Sequence, residues 1–555
     1  MKIFSSRMKL DFFFLNVFSF VVIYCNIMQP MISQKLLDST LGGEYDKIAI
    51  QFVYLFLAII VLLLFELGRK IFTANYRKHL LDSLRNNVLK GILSKPLEEF
   101  QLMNNQKYIS LFNNDLKEIT ENYYIQFTEI IFNMMSLVVY AVALFNLNYI
   151  IAIIIMVTNI LPILAPILFE KKLQLRRSEY LESLKNYNVK LGDIVNGFSV
   201  VKVHRMKFIM ETLLKKESSI STDKQKSYEY VDSFSVMLVG FLSFANYFCI
   251  ILAGIYLMTK NQLSAGGLLA AIQVSELMVG PTVSITYQMN SFNAIKGIKK
   301  SIFKEYGGFS REDSWEISKR DIKNIEVNNL TFKYGDIVAL DGINLKFQKN
   351  RKYLIYGQSG SGKSTLFKVL SKMNSDYTGD ILIDGKSLNE IKEMDYFNRI
   401  GIVYQTPFVF NDTLLNNMTL HREYEEGKIR SIIKELDLER IEDDIFSGKE
   451  FKDSENNISG GEKQKISLSR ILLEEKKFIF LDEATSSIDA KSSYKIEMDL
   501  LNKKDITLIN IEHKVNEETV NLYDEIICLE NGKVVEIFKS KDEKEKFCNR
   551  IRVSV

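Results

Sequence analysis

Hydrophobic patterning divides the chain near residue 290. Before that point, apolar residues run in stretches long enough to cross a bilayer as helices, which takes about 20 residues each. They lie near residues 11–33, 48–67, 125–146, 149–169, 235–258 and 265–288. The first is long, lacks a small-residue cleavage site and is followed by more spans, so it is expected to stay as a span rather than be removed as a signal. Two intervening stretches, each about 60 residues long, are amphipathic and helix-favouring with no glycine-proline linker. The simplest solution continues the spans as helices into the aqueous phase, turning at their far ends; the alternative lays a basic amphipathic helix on the membrane surface. Beyond residue 290 the sequence is mixed and charged, with short apolar runs such as Tyr353-Leu354-Ile355-Tyr356.

Charge gives the spans a direction. The start (Lys2, Arg7, Lys9) is basic, as are the long stretches carrying Lys70, Arg77, Arg85 and Lys95 and then Lys172, Arg176, Lys202 and Arg205. The short links at 34–47, 147–148 and 259–264 are poor in Lys and Arg. The positive-inside tendency therefore puts both termini, the long loops and everything after the last span in the cytoplasm of a multi-pass protein, with membrane lipids as its surroundings.

Length and composition change the picture less. At 555 residues the chain exceeds one hydrophobic core. We expect an all-α membrane domain over 1–305, a linker over 306–323, and an α/β phosphate-loop ATPase domain over 324–555. A formal charge of +3 gives no global pull toward nucleic acid, and no nucleic-acid partner is expected. Cys25, Cys249, Cys528 and Cys548 lack metal or disulfide spacing and read as buried thiols in a reduced compartment.

The chemistry sits in the second half. Gly357-Gln358-Ser359-Gly360-Ser361-Gly362-Lys363-Ser364, followed by Thr365, matches the phosphate-loop pattern in full and follows an apolar strand. Glycines let backbone N–H groups curl around a polyphosphate, Lys363 reaches the outer phosphates, and the Ser364 hydroxyl sits on Mg2+. Phe478 to Leu481 is an apolar strand ending in Asp482 and Glu483: one carboxylate for magnesium, the next to polarise an attacking water as general base. Ser459-Gly460-Gly461-Glu462 opens a helix, and free N–H groups with a helix dipole form an anion site in their own right.

Together these features resemble the half-size ABC exporters of bacteria (peptide, lipid and multidrug exporters), six spans followed by one nucleotide-binding domain, over almost the whole length. The resemblance implies ATP and Mg2+ as cofactors. It implies that Gln405, after the strand Gly401 to Tyr404, senses magnesium and the attacking water, and that His513, ending the strand Ile506 to Glu512, contacts the terminal phosphate. It makes Ile458-Ser459-Gly460-Gly461-Glu462 a signature loop closing over ATP bound by the opposite subunit, and Ser486 to Asp489 the loop linking the two sites. Ile458 and Glu462 stand where leucine and glutamine are commonest, and Lys452 to Asn457 fits the family poorly, so a role for Glu455 in cross-talk is in doubt. Tyr334 is expected to stack on adenine, the alternative being a strand aromatic in the core. Residues 91–120, with Asn104 to Leu116, look like the first intracellular loop and coupling helix; Asp193 to Lys202 looks like the second, docking on the partner's ATPase. Gly280-Pro281 also falls where the family places such a pair. His79, His204 and His421 have no such context and read as surface or interface residues. No peptidase domain precedes the first span, so coupled leader cleavage is not expected.

The expected function is ATP-driven export of an amphipathic substrate (peptide, lipid or hydrophobic drug) by alternating access in a dimer. A homodimer is favoured because every catalytic position is intact, with a second half-transporter as the other possibility. The competing readings are an importer on the same scaffold, such as one for a metal-chelate, and a soluble regulatory ATPase, against which the six spans argue. Amides in the spans, including Asn133, Asn159, Asn246 and Gln273, read first as helix-to-helix hydrogen bonds. Glu276 stands within the last span with no Lys or Arg in the other spans to pair with it. It faces either the translocation cavity or, as a neutral carboxyl, a neighbouring amide such as Asn246.

Overall fold

The computed structural model describes residues 5–101, 103–306, 321–451, 458–513 and 515–554. The expected linker over 306–323 and the segment containing Glu455 lie largely or wholly outside these. The chain forms two compact units, one of residues 1–94 with 105–310 and one of residues 95–104 with 311–555.

The first unit is helical. Ser6–Leu41, Tyr45–Leu93, Asn105–Leu147, Lys207–Thr259 and Ala265–Tyr306 are long and apolar enough to cross a membrane. At 36 to 53 residues they exceed the roughly 20 that a bilayer needs, so the spans do run on as helices beyond it. The expected run over 149–169 is instead two helices, Tyr149–Thr158 and Leu161–Asn196. Asn148 caps the first, its side-chain oxygen accepting from the N–H groups of Ile150 and Ile151 at 2.9 and 3.3 Å. Pro162 explains the break: it lacks the N–H that would bond the Thr158 carbonyl, and it is accommodated in the first turn of the next helix.

Buried amides join these helices. Asn246 donates to Asn159 and to Ser275, both at 3.2 Å, and Asn159 donates to Ser275 at 3.3 Å. Asn133 donates to Gln288 at 3.1 Å. The Asn246 N–H groups are thus used within this buried cluster, whereas Glu276 is exposed on the unit's surface. His79 lies 2.7 Å from Asp11, tying the first two helices together. The expectation of four buried thiols is corrected: Cys25 and Cys528 are buried and Cys548 is half-buried, but Cys249 is exposed. It lies on a helix long and apolar enough to cross a membrane, whose apolar side chains need not all be buried within the chain.

The first intracellular segment also differs in register. Residues 95–104 belong to the second unit and carry the short helix Leu97–Gln101, whereas Asn105 already starts the next long helix. Pro96 cannot continue the preceding helix and starts the short one. The Leu97 N–H donates to Glu393 at 2.9 Å, and Glu98 accepts from the Ser375 N–H at 3.0 Å and from its hydroxyl. In the second segment, Gly197 ends the helix Leu161–Asn196 and Phe198–Val203 follows as a short exposed helix.

The second unit has two sheets. β1 (Asn324–Tyr334), β2 (Ile337–Gln348), β4 (Tyr377–Ile383) and β5 (Lys386–Ser387) form an antiparallel sheet in the order β2-β1-β4-β5. β3 (Lys352–Tyr356), β6 (Ile400–Val403), β7 (Phe478–Asp482), β8 (Thr507–Glu512), β9 (Glu525–Glu530) and β10 (Lys533–Phe538) form the other, in the order β10-β9-β3-β8-β7-β6. All but β10 run parallel, and β3, β7, β8 and β9 are buried almost throughout, as expected of strands covered on both faces. Leu354, Asn510, Leu481 and Val403 share one register row, so β3, β8, β7 and β6 release their chains along a single carboxyl edge. Open α/β sheets bind ligands at that edge.

Candidate active site

Three of the predicted residues meet at this edge. The Gln405 amide donates to Glu483 at 2.7 Å, and the His513 Nδ1 lies 3.2 Å from the other Glu483 carboxylate oxygen. Glu483 itself sits in the left-handed region at φ 48°, its N–H held 3.0 Å from the Ile511 carbonyl. That conformation is rare for a residue with a side chain, and here it turns the carboxylate toward Gln405 and His513.

The phosphate loop leaves β3 beside them. Gly362 has φ 103°, and a Cβ there would come 2.8 Å from the Ala339 carbonyl, so only glycine fits. Lys363 is buried, its Nζ donating to the Gly357 and Gln358 carbonyls at 2.6 and 3.0 Å. Burial pulls its ammonium below the usual lysine range, against the raising charges of Glu483 and Asp482. Ser361 is buried with its hydroxyl unpartnered among the described residues, a donor available to a phosphate. Gln358, Ser359, Gly360 and Ser364 are exposed on the same loop, while Thr365 is buried behind it.

Burial pushes the Asp482 carboxyl up to about 6; the Glu483 charge adds to the rise, and Lys363 opposes it. A buried carboxyl raised in this way beside a second carboxylate suits a divalent cation, which would relieve both burial and repulsion. Glu512, ending β8, is pushed up to about 8, by burial first and then by the charges of Glu497, Glu483 and Asp482.

The signature loop is separately built. Ser459 caps the helix Gly460–Leu473, accepting from the Glu462 N–H at 3.2 Å, while the Glu462 carboxylate accepts from the Ser459 N–H at 2.7 Å and its hydroxyl at 2.8 Å. This capping box uses Glu462 in place of the commoner glutamine. A Cβ on Gly461 would come 2.9 Å from the Ser487 carbonyl, so a side chain there would push the helix from the loop before Asp489. Asp489 caps the next helix by accepting from Ser492 N–H at 3.0 Å.

Gln464 is the residue that sequence reasoning missed. It is fully buried, donates to Ser486 at 3.2 Å and toward the Glu483 carbonyl at 3.4 Å, and accepts from the Ser487 N–H at 2.9 Å. One amide thus links the signature helix to the backbone on both sides of the loop after β7. Its signal was a polar side chain on the buried face of an amphipathic helix. Tyr334, at the end of β1, is 48% exposed with its ring edge-on to Phe332, which overturns the core alternative for it.

Comparison with known proteins agrees with this geometry. Residues 12–282 match the family model for the ABC transporter transmembrane region, and residues 340–486 match that for the ABC transporter. The chain is 28% identical over 487 residues to the multidrug resistance-like ATP-binding protein MdlB of Buchnera aphidicola subsp. Schizaphis graminum, covering 84% of this chain and 81% of that one. It is 26% identical over 378 residues to a Staphylococcus aureus protein named "Putative multidrug export ATP-binding/permease protein", covering 66% and 64%. A bacterial Atm1-family ABC exporter solved with ATP bound superposes with a TM-score of 0.76 at 18% identity, over 98% of each chain. The chain belongs to the ABC transporter family, a multi-pass membrane protein with its ATPase in the same polypeptide and ATP hydrolysis coupled to transport.

Proposed function

We propose that the chain exports an amphipathic cargo as half of a dimer, with a cycle driven from the Glu483 site. The observation that carries the reading is the contact of Gln405 and His513 with the two oxygens of one carboxylate, beside a phosphate loop. In this reading Glu483 takes a proton from the attacking water, Gln405 orients that water, and His513 contacts the terminal phosphate. Lys363, Ser361 and the loop N–H groups hold the phosphates, and Tyr334 stacks on adenine. Ser364, Gln405 and Asp482 would hold Mg2+, which supplies positive charge against the phosphates. Ser459, Gly460, Gly461 and Glu462 act on ATP held by the partner subunit, and Asp489 lies in the loop joining the two sites. Exposure of Phe198, Val200 and Val203 supports docking of that short helix on a partner.

A homodimer is the simpler assembly, because this chain carries every part of a composite site. The basic long loops support a plasma-membrane location, with both termini and the ATPase cytoplasmic. The relatives' names favour drug-like cargo and outward movement; the importer reading has no such support. Inside-out proteoliposomes test the direction: with ATP and magnesium they should accumulate an amphipathic fluorescent dye, and vesicles of Glu483→Gln protein should not. Dye movement only out of such vesicles would overturn export.

A further inference from the structure

Between the start of the first long helix, the interior of the second and third and the end of the last, a cavity of about 750 Å³ is lined by aromatic rings and two lysines. Tyr123 stacks on Phe292 with centroids 4.3 Å apart, and Tyr124 packs edge-on to Tyr123 at 5.0 Å. Two consecutive residues of an α-helix diverge by about 100°. Here Thr120–Ile125 is a π-helical turn, which widens the helix and lets both tyrosines reach one cavity. Lys299 lies 3.5 Å above the Tyr123 ring and 4.7 Å from that of Tyr124. Among the described residues, neither Lys299 nor Lys9, across the cavity, forms an ion pair with a carboxylate; the nearby Glu121 is occupied by Arg77 at 2.8 Å.

We propose that this cavity binds an anionic phospholipid of the cytoplasmic leaflet, its phosphate on Lys9 and Lys299 and its acyl portion against Tyr123, Phe127 and Phe292. Three features select this ligand. Two cations without counter-charges demand an anion, and the aromatic walls demand an apolar body attached to it. The site also lies at the basic, cytoplasmic ends of the spans in the topology proposed above, where anionic headgroups concentrate and basic pockets between helices recruit them. Lys299 meets the rings with one side of its ammonium, leaving N–H groups for phosphate on the other. The bound lipid would tie the start of the first helix to the end of the last.

Native mass spectrometry of full-length protein, released from nanodiscs of phosphatidylglycerol and phosphatidylcholine, tests this. Wild type should retain phosphatidylglycerol in preference to phosphatidylcholine. The double variant Lys9→Gln, Lys299→Gln should lose about thirtyfold in that preference, at about fivefold per lysine. Lys299→Arg should keep it, and unchanged thermal unfolding would exclude a folding defect. Millimolar inorganic phosphate should not displace the lipid, because it lacks the apolar body. Equal retention of both lipids, an unaffected double variant, or displacement by phosphate alone would each overturn the proposal. Retention is read without ATP, so its failure leaves the transport reading standing.

Discussion

Gln405 and Glu483 are 78 residues apart in sequence and 2.7 Å apart in the fold. The pairing follows from register: β6 lies beside β7 with Val403 opposite Leu481, so the chain two residues beyond each pair reaches the same point on the sheet edge. Gln405, two residues beyond the end of β6, is thereby set beside Glu483 by the register of the sheet.

Glu483→Gln should lower ATP turnover by roughly 10²–10⁴ while nucleotide still binds, because only the general base is removed. Paired measurements of steady-state hydrolysis and nucleotide affinity check this. Near-normal turnover would remove Glu483 from the role.

Lys363→Ala should weaken ATP binding about tenfold to a hundredfold, the scale of losing one or two charge-assisted hydrogen bonds. The effect should appear in affinity itself, measured by calorimetry. Lys363 already lies folded into the loop, so its removal also leaves the Gly357 and Gln358 carbonyls without their donor.

Much of this site was legible because its parts are local strings: a loop after a strand, two carboxylates ending another, a histidine ending a third. What sequence could not supply was lateral order. Nothing in the residues around Gln464 says that its amide reaches Ser486 and the Ser487 N–H, because that contact depends on how a helix lies over a loop. In the membrane region the spans were readable from length and hydropathy. Hydropathy alone did not separate Thr158 from Leu161, since the break comes from the backbone of Pro162 and is invisible to an apolar average. Within the first intracellular segment, residues 91–120, sequence did not single out the contacting residues for a similar reason. Asn104 to Leu116 is amphipathic enough to attract attention, yet the contacts to Ser375 and Glu393 are made by Glu98 and the Leu97 N–H.

Glu512 gives a pH dependence. Its carboxyl titrates near 8 in the fold, against about 4.3 when unfolded. Between those values the folded chain holds a proton that the unfolded chain has released, so stability falls as pH rises from about 5 to 8 and then levels off. Glu512→Gln should flatten that slope. Thermal unfolding of both proteins at pH 5.5 and 8 measures it, with the variant losing less than the parent.

Ser459 should act across the dimer. In mixed dimers of one chain with Ser459→Arg and one with Lys363→Ala, one composite site is doubly damaged and the other is spared, so ATPase activity should exceed that of either pure variant dimer. Should mixed dimers be as inactive as pure ones, cysteines at Ser459 and Ser361 would decide: crosslinking between subunits means coupled sites, and its failure means that the head-to-tail arrangement is wrong.

Glu276 is the remaining candidate for contact with cargo. On the last long helix Val274, Ser275 and Met278 face the unit's interior, whereas Glu276 is exposed on its surface. Asn246, offered as one partner for a neutral carboxyl, is buried with Asn159 and Ser275, whereas Glu276 is on the exposed face. An outward carboxylate at this depth meets either lipid or a water-filled cavity shared with a second subunit, and lipid is the costlier surrounding by several kcal/mol. Glu276→Gln should therefore preserve expression, thermal stability and basal ATPase activity, while stimulation by cationic amphiphiles falls severalfold and stimulation by neutral ones changes little. If the variant responds to both classes as the parent does, Glu276 faces elsewhere and the cavity must be lined by other residues.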